Sequence, residues 1–492
     1  MFQKSVKFSQ DFGKSVAKPN KNHSLKIIAE ISKEIVFLHP IWKTMGAFKA
    51  YDFRGIYGKD FDLETIYKFG FFLPSLLKAD KVLIGRDMRI TSQDMFEALS
   101  RGITDAGADV YDMGLTTTPM VYYFTAKHHF DASVMITASH NPKEYNGLKV
   151  SKTNALPVGY DTGLGELEQK VLHEKVIITA PKGKVIDYPV REEYLQFQSQ
   201  YHYSPDNLNI VMDCSNGMAS ILVKEIFGNK PTYLFDTLDG TFPNHEANPL
   251  EAENIVALQE KVRETHADLG VIFDGDADRV MFVDENGNFI SPDLIIAVLG
   301  HYFIEEKDIQ GLVIQDIRTS KSVAEYLEKM GREMYIWRVG RAYAAMKLRE
   351  IDGAFGGEYA GHYYFRDFFY SDSAMIAAQV ALRVFSKMKE RGVSVSQLIA
   401  RIKRYANSGE INFTIEDKKE AMEAVKAACI AQETPEKMLD FDGYRVEFAD
   451  WWFNIRPSNT EPYLRLIMEA RTEELLKEKR TFIEQILKPY II

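Results

Sequence analysis

One local pattern, a short apolar run that meets an aspartate and a polar turn, occurs three times in this chain. It appears as "KVLIGRDMRITS" from Lys81, "LNIVMDCSNGMAS" from Leu208 and "GLVIQDIRTSKS" from Gly311. Short runs of Val, Ile and Leu are typical of buried strands, and a following Ser or Thr is suited to cap a helix. Because repeated strand–turn–helix units build layered domains, the pattern predicts three related α/β units.

Two periodic segments predict helices in the second half of the chain. The segment that begins at Ser373 carries an apolar stripe with basic residues near its end. The segment that begins at Thr472 starts with a capping residue type and acids in the first turn. One face of this second segment consists of Leu475, Leu476, Phe482, Ile483, Ile486 and Leu487.

The length of 492 residues fits about three or four domains. We expect domains at residues 46–189, 190–288, 289–403 and 404–492, preceded by a disordered extension over residues 1–45. That extension carries eight lysines and lacks the apolar stretch of a secretory signal.

The bulk composition excludes several classes of protein. The net charge of −10 argues against generic nucleic-acid binding, which needs a basic footprint. The two cysteines allow neither a disulfide framework nor a zinc site, and a reducing cytoplasm is the expected location. The most apolar segment, which begins at Leu294, is too short to span a membrane.

Three aspartates alternate directly after an apolar strand in "GVIFDGDADRV". Asp274, Asp276 and Asp278 would repel one another unless a cation lies among them, and hard oxygen ligands suit Mg²⁺ or Ca²⁺. An EF-hand would need glycine where Arg279 stands, and a helix rather than a strand before the loop. The motif therefore predicts a site of the magnesium type, with a solvated acidic turn as the alternative.

Several other loops carry groups that bind phosphate or sugar. "NIRPSNTEPYLRL" offers guanidinium, hydroxyl and amide donors, which suit a phosphate cradle. The glycine-rich "GAFGGEYAGHYYF" holds Glu358 and His362, a pair that can grip hydroxyls or move protons. Arg54, Arg86 and Arg89 are further candidate phosphate contacts. Each of these loops has an ordinary structural alternative, such as a surface salt bridge.

Ser139 in "TASHNP" invites comparison with a serine hydrolase, but the pattern around it differs. Its neighbours at positions ±2 are Thr137 and Asn141, so the G-x-S-x-G elbow is missing. The adjacent His140 is expected to point away from the serine, which makes it a poor base. Lys149 lies ten residues further on and could balance phosphate charge or move a proton. The stretch therefore favours a serine that meets phosphate and metal over one that attacks an acyl group.

These motifs together resemble the α-D-phosphohexomutase superfamily, most closely its bacterial phosphomannomutase/phosphoglucomutase branch. The resemblance runs from about Met45 to the C-terminus through "YDFRG", "GRDMR", "TASHNPKEYNGLK", "DGDADR", "GEYAGH" and "RPSNTEPYLR". It implies a heart-shaped, four-domain architecture, with three mixed α/β domains and a C-terminal α+β domain like the TATA-binding protein. Each domain would supply one loop to a central cleft.

The resemblance also implies residue roles. Ser139 corresponds to the phosphorylated serine, and with Asp274, Asp276 and Asp278 it would bind one Mg²⁺. Arg54, Lys149 and His362 would surround the phosphoryl-transfer centre. The residues expected to bind substrate are Tyr51, Arg279, Arg318, Glu358, Arg456, Ser458, Asn459, Thr460 and Arg465.

The implied reaction interconverts hexose 1-phosphates and 6-phosphates of mannose or glucose through a phosphoserine and a hexose 1,6-bisphosphate. The expected partners are hexose phosphates, with neither nucleic acid nor membrane, and the expected state is a monomer or weak homo-oligomer. A phosphoglucosamine mutase and a metal-dependent sugar phosphatase remain alternatives. Two departures bear on the sugar: Ala360 replaces a usual serine, and Arg341 stands where the family often has histidine.

Overall fold

The structure is a computed structural model that describes residues 46–458 and 463–492. Within these residues the chain forms four β-sheets with accompanying helices. The expected extension over residues 1–45 lies outside the described residues. In the described ranges, no helix combines the length and the apolar character needed to cross a bilayer.

The first sheet has a parallel centre and an antiparallel edge. Its unit contains β1 Phe53–Ile56, α1 Leu63–Leu77, β2 Lys81–Arg86, α2 Ser92–Asp105, β3 Asp109–Leu115, α3 Thr118–Lys127, β4 Ala132–Ile136, β5 Tyr145–Lys152, β6 Leu156–Pro157, α4 Leu164–His173 and β7 Val185–Asp187, and α5 Arg191–Gln198 follows at the start of the second unit. The strand order is β1-β5-β4-β2-β3-β7, with β6 beside β5. Since β2 and β4 are parallel neighbours, the loops after their carboxyl ends lie at the same edge.

The second sheet repeats this arrangement with fewer strands. Its unit contains β8 Ile210–Asp213, α6 Val223–Phe227, β9 Thr232–Leu234, α7 Val256–Thr265, β10 Leu269–Phe273, β11 Val280–Asp284 and β12 Phe289–Ile290. β8 is parallel to β9 and β10, and β11 is antiparallel to β10 and β12. Because β12 belongs to this sheet, the second unit reaches just past residue 288, where its end was expected.

The third sheet has the same mixture of parallel and antiparallel pairs. Its unit contains α8 Pro292–Gly300, β13 Val313–Asp316, α9 Lys321–Lys329, β14 Met334–Trp337, α10 Arg341–Glu350, β15 Phe355–Gly357, β16 Tyr363–Phe365, β17 Ser371–Asp372, α11 Ala374–Glu390 and α12 Val395–Ile402. β13 is parallel to β14 and β15, whereas β15, β16 and β17 run antiparallel. The prediction of three mixed α/β units is confirmed.

The fourth sheet is antiparallel in all its described pairs, as expected for an α+β unit. Its elements are β18 Ala406–Asn407, β19 Ile411–Thr414, α13 Lys418–Gln432, β20 Lys437–Leu439, β21 Tyr444–Glu447, β22 Trp451–Pro457, β23 Tyr463–Ala470 and α14 Glu473–Leu487. β23 lies between β22 and β18 and also pairs with β19.

The repeated sequence pattern corresponds to a repeated turn. Asp213 and Asp316 are the last residues of β8 and β13, and Asp87 directly follows β2. Each side chain accepts a hydrogen bond from the backbone N–H two residues further on. The three donor–acceptor distances are 3.0, 2.8 and 2.7 Å. A carboxylate that accepts this bond stabilises a tight turn, which explains why an aspartate stands at each site.

The predicted helix caps are confirmed at Ser320 and Thr472, and Ser373 provides a third cap that the sequence pattern did not predict. Ser320, Ser373 and Thr472 accept hydrogen bonds from backbone N–H groups in the first turns of α9, α11 and α14. Thr91 precedes α2 without a side-chain capping bond, because its hydroxyl accepts instead from the amide of Asn146 at 2.8 Å. Side-chain capping was therefore wrongly expected there.

The first three units share a large apolar core, and the first and fourth units each have a further core of their own. Phe124, Phe282 and Phe385, from the first, second and third units, belong to one buried cluster. A separate cluster in the fourth unit includes Trp451 and Phe453.

Polar contacts help to join the third and fourth units. The buried Arg445 donates to the carbonyls of Ile317 and Thr319 at 2.8 and 2.7 Å. Glu469 accepts from the hydroxyl of Ser320 at 2.9 Å. Burial raises the pKa of Glu469 to about 7, with a further contribution from Asp293.

Helices α1 and α2 cross in close backbone contact at Gly102. An added Cβ would lie 2.1 Å from the carbonyl oxygen of Tyr67. Alanine normally stabilises a helix relative to glycine, so any loss of stability in Gly102→Ala comes from the steric overlap. We expect Gly102→Ala to lower the free energy of unfolding by about 1–3 kcal/mol, as overpacked cores do. Thermal and urea denaturation will measure this loss. Gly46→Ala, whose Cβ would have no neighbour closer than 3.9 Å, is the control; equal stability of both variants would contradict the expectation.

Candidate active site

Three buried carboxylates occupy the turn between β10 and β11, as the sequence predicted. Asp274, Asp276 and Asp278 are fully buried, and one oxygen from each lies within 4.8 Å of the others. Gly275 allows this turn to touch the first unit, because a Cβ there would lie 2.4 Å from the carbonyl oxygen of Ser139. Burial, and then repulsion from Asp278 and Asp276, raise the pKa of Asp274 well above its usual value.

The first unit supplies the groups that face these carboxylates. Lys149 on β5 places its Nζ 2.7 Å from Asp276 Oδ2 and 2.6 Å from Asp278 Oδ2. The hydroxyl of Thr118, at the start of α3, donates to Asp276 Oδ2 at 2.5 Å. The buried Oδ1 atoms of Asp276 and Asp278 have no hydrogen-bond partner among the described residues. Unmatched carboxylate oxygens in a closely spaced set fit a hard divalent cation.

Ser139 lies directly against this carboxylate set. It follows β4, its backbone is in the left-handed region at φ 53°, and its Oγ donates to Asp274 Oδ2 at 2.9 Å. His140 Nδ1 lies 3.3 Å from the same Oγ, so the expectation that His140 points away is wrong. The left-handed turn at Ser139 brings the two side chains together. Burial and the neighbouring cations, Arg279 first, hold the pKa of His140 well below its usual value.

Arg89 holds the loop that carries Ser139. Its Nη1 donates to the carbonyls of Pro142 and Tyr145 at 2.8 and 3.0 Å. Its Nη2 donates to the carbonyls of Ser139 and Asn141 at 3.0 and 2.6 Å. The side chain is buried, so the interpretation of Arg89 as a phosphate contact is wrong. Its Nη1 and Nη2 donors are used by backbone carbonyls of the protein itself.

Two other arginines of the first unit differ in their surroundings. Arg86 pairs with Asp112 at 2.6 Å and lies over the ring of Phe96, so it too is committed to packing rather than to phosphate. Arg54 pairs with Asp52 and donates to Asn141 Oδ1 at 2.8 Å, beside the Ser139 loop. The structure therefore brings Arg54 to the expected centre.

The glycine-rich loop of the third unit reaches the same centre. His362 forms an isolated bridge with Arg279 of the second unit, and the Nε of Arg279 donates to His362 Nε2 at 3.0 Å. The other ring nitrogen, Nδ1, lies 2.7 Å from Asp372 Oδ2. These bonds place the imidazole 3.8 Å from the carboxylate of Asp278.

Glu358 and Tyr51 both bind the backbone of the short loop between β14 and α10. Glu358 is buried and its Oε1 accepts from the backbone N–H of Gly340 at 3.0 Å. Tyr51, from the first unit, donates to the carbonyl of Val339 at 3.3 Å. Burial raises the pKa of Glu358 above its usual value, although the nearby His362 acts to lower that pKa.

The fourth unit contributes a cluster of guanidinium groups. Arg456 on β22 and Arg465 on β23 are cross-strand partners, and Arg318 of the third unit lies beside them. Ser458 ends the described part of this loop, while the expected residues Asn459 and Thr460 lie outside the described residues. The sequence interpretation missed Glu410, which is near all three guanidinium groups. The acid in "NSGEINF" gave no local signal, because it is far from these arginines in sequence.

The departure at Arg341 changes the surroundings of the buried Asp372. Arg341 Nε pairs with Asp372 Oδ1 at 3.0 Å, and its guanidinium lies 3.4 Å from the ring centroid of Tyr122. Asp372 thus joins Arg341 to His362, a link that the sequence interpretation missed. Burial would raise the pKa of Asp372, but Arg341 and His362 outweigh it and lower that pKa below its usual range.

Models of four successive domains match the chain in order. They are the phosphoglucomutase/phosphomannomutase alpha/beta/alpha domains I, II and III, at residues 45–175, 192–287 and 291–405, and the C-terminal domain at residues 410–485. The chain belongs to the phosphoglucomutase/phosphomannomutase family. The recognition made from the motifs is confirmed, as is the four-domain architecture.

Relatives within the phosphoglucomutase/phosphomannomutase family cover most of the chain. A phosphomannomutase of Methanocaldococcus jannaschii is 35% identical over 449 residues, or 89% of this chain and 97% of that protein. Phosphohexose mutases of Xanthomonas campestris are 35% identical over 445 residues, with 89% and 98% coverage. A crystal structure of a family protein from Burkholderia thailandensis has a TM-score of 0.79 at 26% identity, covering 90% and 97%. These similarities support hexose phosphate mutase function, which is an isomerase activity.

Arg89 is expected to control catalysis through the position of Ser139. Lysine cannot reach four carbonyls at once, so we expect Arg89→Lys to reduce kcat for mutase turnover by about tenfold or more, since small misplacements are costly. KM for the hexose phosphate should change little, because Nη1 and Nη2 of the buried Arg89 are already bonded to backbone carbonyls. Arg86→Lys, in the same "GRDMR" segment, is the control. Steady-state kinetics that show a changed KM with an unchanged kcat would contradict this role.

Proposed function

We propose that this protein interconverts hexose 1-phosphates and 6-phosphates through a phosphorylated Ser139. The observation that carries the proposal is the 2.9 Å contact between Ser139 Oγ and Asp274, within a buried carboxylate cluster faced by Lys149. A buried serine beside carboxylates that can bind a cation is suited to hold a phosphoryl group rather than an acyl group.

We propose Mg²⁺ as the cofactor of this turn, held by Asp274, Asp276, Asp278 and the Ser139 phosphoryl group. The unmatched Oδ1 atoms of Asp276 and Asp278 support it, and a hard, all-oxygen donor set favours Mg²⁺ over softer ions. When bound, the ion would neutralise charge on the transferring phosphoryl oxygens.

In the first half-reaction, a free hydroxyl of the hexose phosphate attacks the phosphorus of phospho-Ser139. The bond from Ser139 Oγ to phosphorus breaks as the sugar oxygen–phosphorus bond forms. The sugar hydroxyl gives its proton to a base, and the departing Ser139 Oγ takes up a proton. The product is a hexose 1,6-bisphosphate. In the second half-reaction Ser139 Oγ loses its proton to a base and attacks the other phosphorus of the bisphosphate. The sugar oxygen–phosphorus bond breaks as the Oγ–phosphorus bond forms, and the departing sugar oxygen takes a proton. Lys149 and His362 are the candidates for proton transfer, while Arg54 and Arg279 would stabilise phosphoryl oxygens.

The distal phosphate of either sugar isomer would bind at the guanidinium cluster of the fourth unit. Arg456 and Arg465 present paired donors, and Ser458, Asn459 and Thr460 would complete the cradle. Glu358 would contact sugar hydroxyls, with Tyr51 beside it, and Arg318 would bind substrate as part of the guanidinium cluster. Because the bisphosphate must present both ends in turn, this cluster has to accept phosphate in two orientations.

Mannose and glucose phosphates are the proposed substrates. A phosphoglucosamine mutase usually has Gln or Asn after the "GE" of the sugar loop and keeps the serine, whereas this chain has Tyr359 and Ala360. A sugar phosphatase would hydrolyse phospho-Ser139 with water instead of a sugar hydroxyl. We also expect a cytoplasmic location and a monomeric or weakly oligomeric state, as predicted from the sequence.

Ser139→Ala is expected to abolish turnover, because no other side chain occupies the position that accepts the phosphoryl group. Wild-type protein incubated with glucose 1,6-bisphosphate should gain one phosphoryl mass at Ser139, and the variant should gain none. Coupled assays with mannose 1-phosphate or glucose 1-phosphate should yield the 6-phosphate without free phosphate. Ser151→Ala, another buried serine of the first unit, is the control. Release of inorganic phosphate without 6-phosphate would instead favour the phosphatase.

Removal of the divalent cation is expected to stop turnover without unfolding the protein. Chelation should reduce kcat by at least about a hundredfold, since metal ions typically supply several kcal/mol to phosphoryl transfer. Added Mg²⁺ should restore activity to the wild type but not to Asp276→Asn. Asp284→Asn, a buried carboxylate in the neighbouring turn, is the control. Full activity after exhaustive chelation would contradict the metal assignment.

A further inference from the structure

Glu410 lies inside the guanidinium cluster of the fourth unit. It directly precedes β19, which pairs with β23, so its carboxylate meets Arg465 at 2.8 Å. The same carboxylate lies 3.4 Å from Arg318 and 3.5 Å from Arg456. One carboxylate is therefore shared by three guanidinium groups in a proposed phosphate site.

The positive charge of this cluster is already partly balanced. Arg318 makes a two-point contact with Asp316, with Nη2 at 2.8 Å and Nε at 3.3 Å from its oxygens. Arg456 and Arg465 then face Glu410, and Asp442 is a further anion that acts on Arg456. Although burial opposes it, the three arginines hold the pKa of Glu410 below its usual value, so the carboxylate is charged at neutral pH.

An anion at this position competes with a phosphate monoester, which itself carries nearly two negative charges at pH 7. An incoming phosphate has to share the donors of Arg456 and Arg465 with the carboxylate, and it meets repulsion from it. A mutase of the proposed kind gains from moderate affinity, because a phosphate that stays bound too tightly prevents the bisphosphate from exchanging its ends.

We propose that Glu410 is a positioning residue that weakens phosphate binding at this cluster and so permits release and reorientation during turnover. The proposal rests on the proposed function for its effect on kcat. Its effect on phosphate affinity does not depend on which reaction the protein catalyses.

Glu410→Gln tests this role, because glutamine keeps the size and an acceptor oxygen but loses the charge. We expect Kd for inorganic phosphate and for glucose 1-phosphate, measured calorimetrically on the full chain, to fall about tenfold. We also expect kcat for the mutase reaction to fall at least about threefold while KM falls as well. Unchanged or weaker phosphate binding would overturn the proposal, and so would tighter binding with unchanged kcat.

Two further variants separate charge from structure. Glu436→Gln removes another carboxylate that joins the third and fourth units, paired with Lys321 at 3.4 Å, and should leave both Kd values unchanged. Glu410→Asp keeps the charge and should stay within about twofold of the wild-type Kd. Tight binding by Glu410→Asp would overturn the charge explanation. Absence of mutase activity in the wild type would defeat the proposed function, whereas the phosphate affinities would still decide the role of Glu410.

Discussion

The structure depends on three carboxylates buried in one turn between β10 and β11. Such a set is stable only when cations and hydrogen-bond donors surround it, because burial strips away the water that would otherwise solvate the charge. The second unit supplies the carboxylates, and the first supplies Lys149, Thr118 and the hydroxyl of Ser139. The buried negative charge of the second unit is thus stabilised by groups of the first, and these contacts fix how the two units pack.

The fourth unit is attached on different terms. None of its described residues belongs to the large apolar core that the other three units share, and Arg445 and Glu469 link it to the third unit through hydrogen bonds. Separating two units joined by polar contacts costs less free energy than separating a shared apolar core, because water can replace the hydrogen-bond partners. The guanidinium cluster on this unit is the proposed phosphate site, and an attachment of this kind suits the proposed binding and release of either end of a bisphosphate.

Much of the site could be predicted because its residues are close in sequence. Asp274, Asp276 and Asp278 alternate along one turn, and Ser139 stands at the end of a buried strand, so local pattern was sufficient. Arg89 was misread as a phosphate contact, since its four carbonyl partners lie about fifty residues away along the chain. His140 was misjudged because the left-handed backbone at Ser139 turns its imidazole toward the hydroxyl.

The sequence by itself determined the three strand–aspartate turns, the helices capped by Ser373 and Thr472, and the identity of the serine and carboxylate motifs. These features depend on neighbours a few residues apart, whose chemistry fixes the local backbone. Only the tertiary structure decided that Lys149 faces Asp276 and Asp278, that Arg341 and His362 share Asp372, and that Glu410 lies among three arginines. Those contacts join distant segments, and burial gives them their strength, so their pairing becomes visible only once the four units are packed.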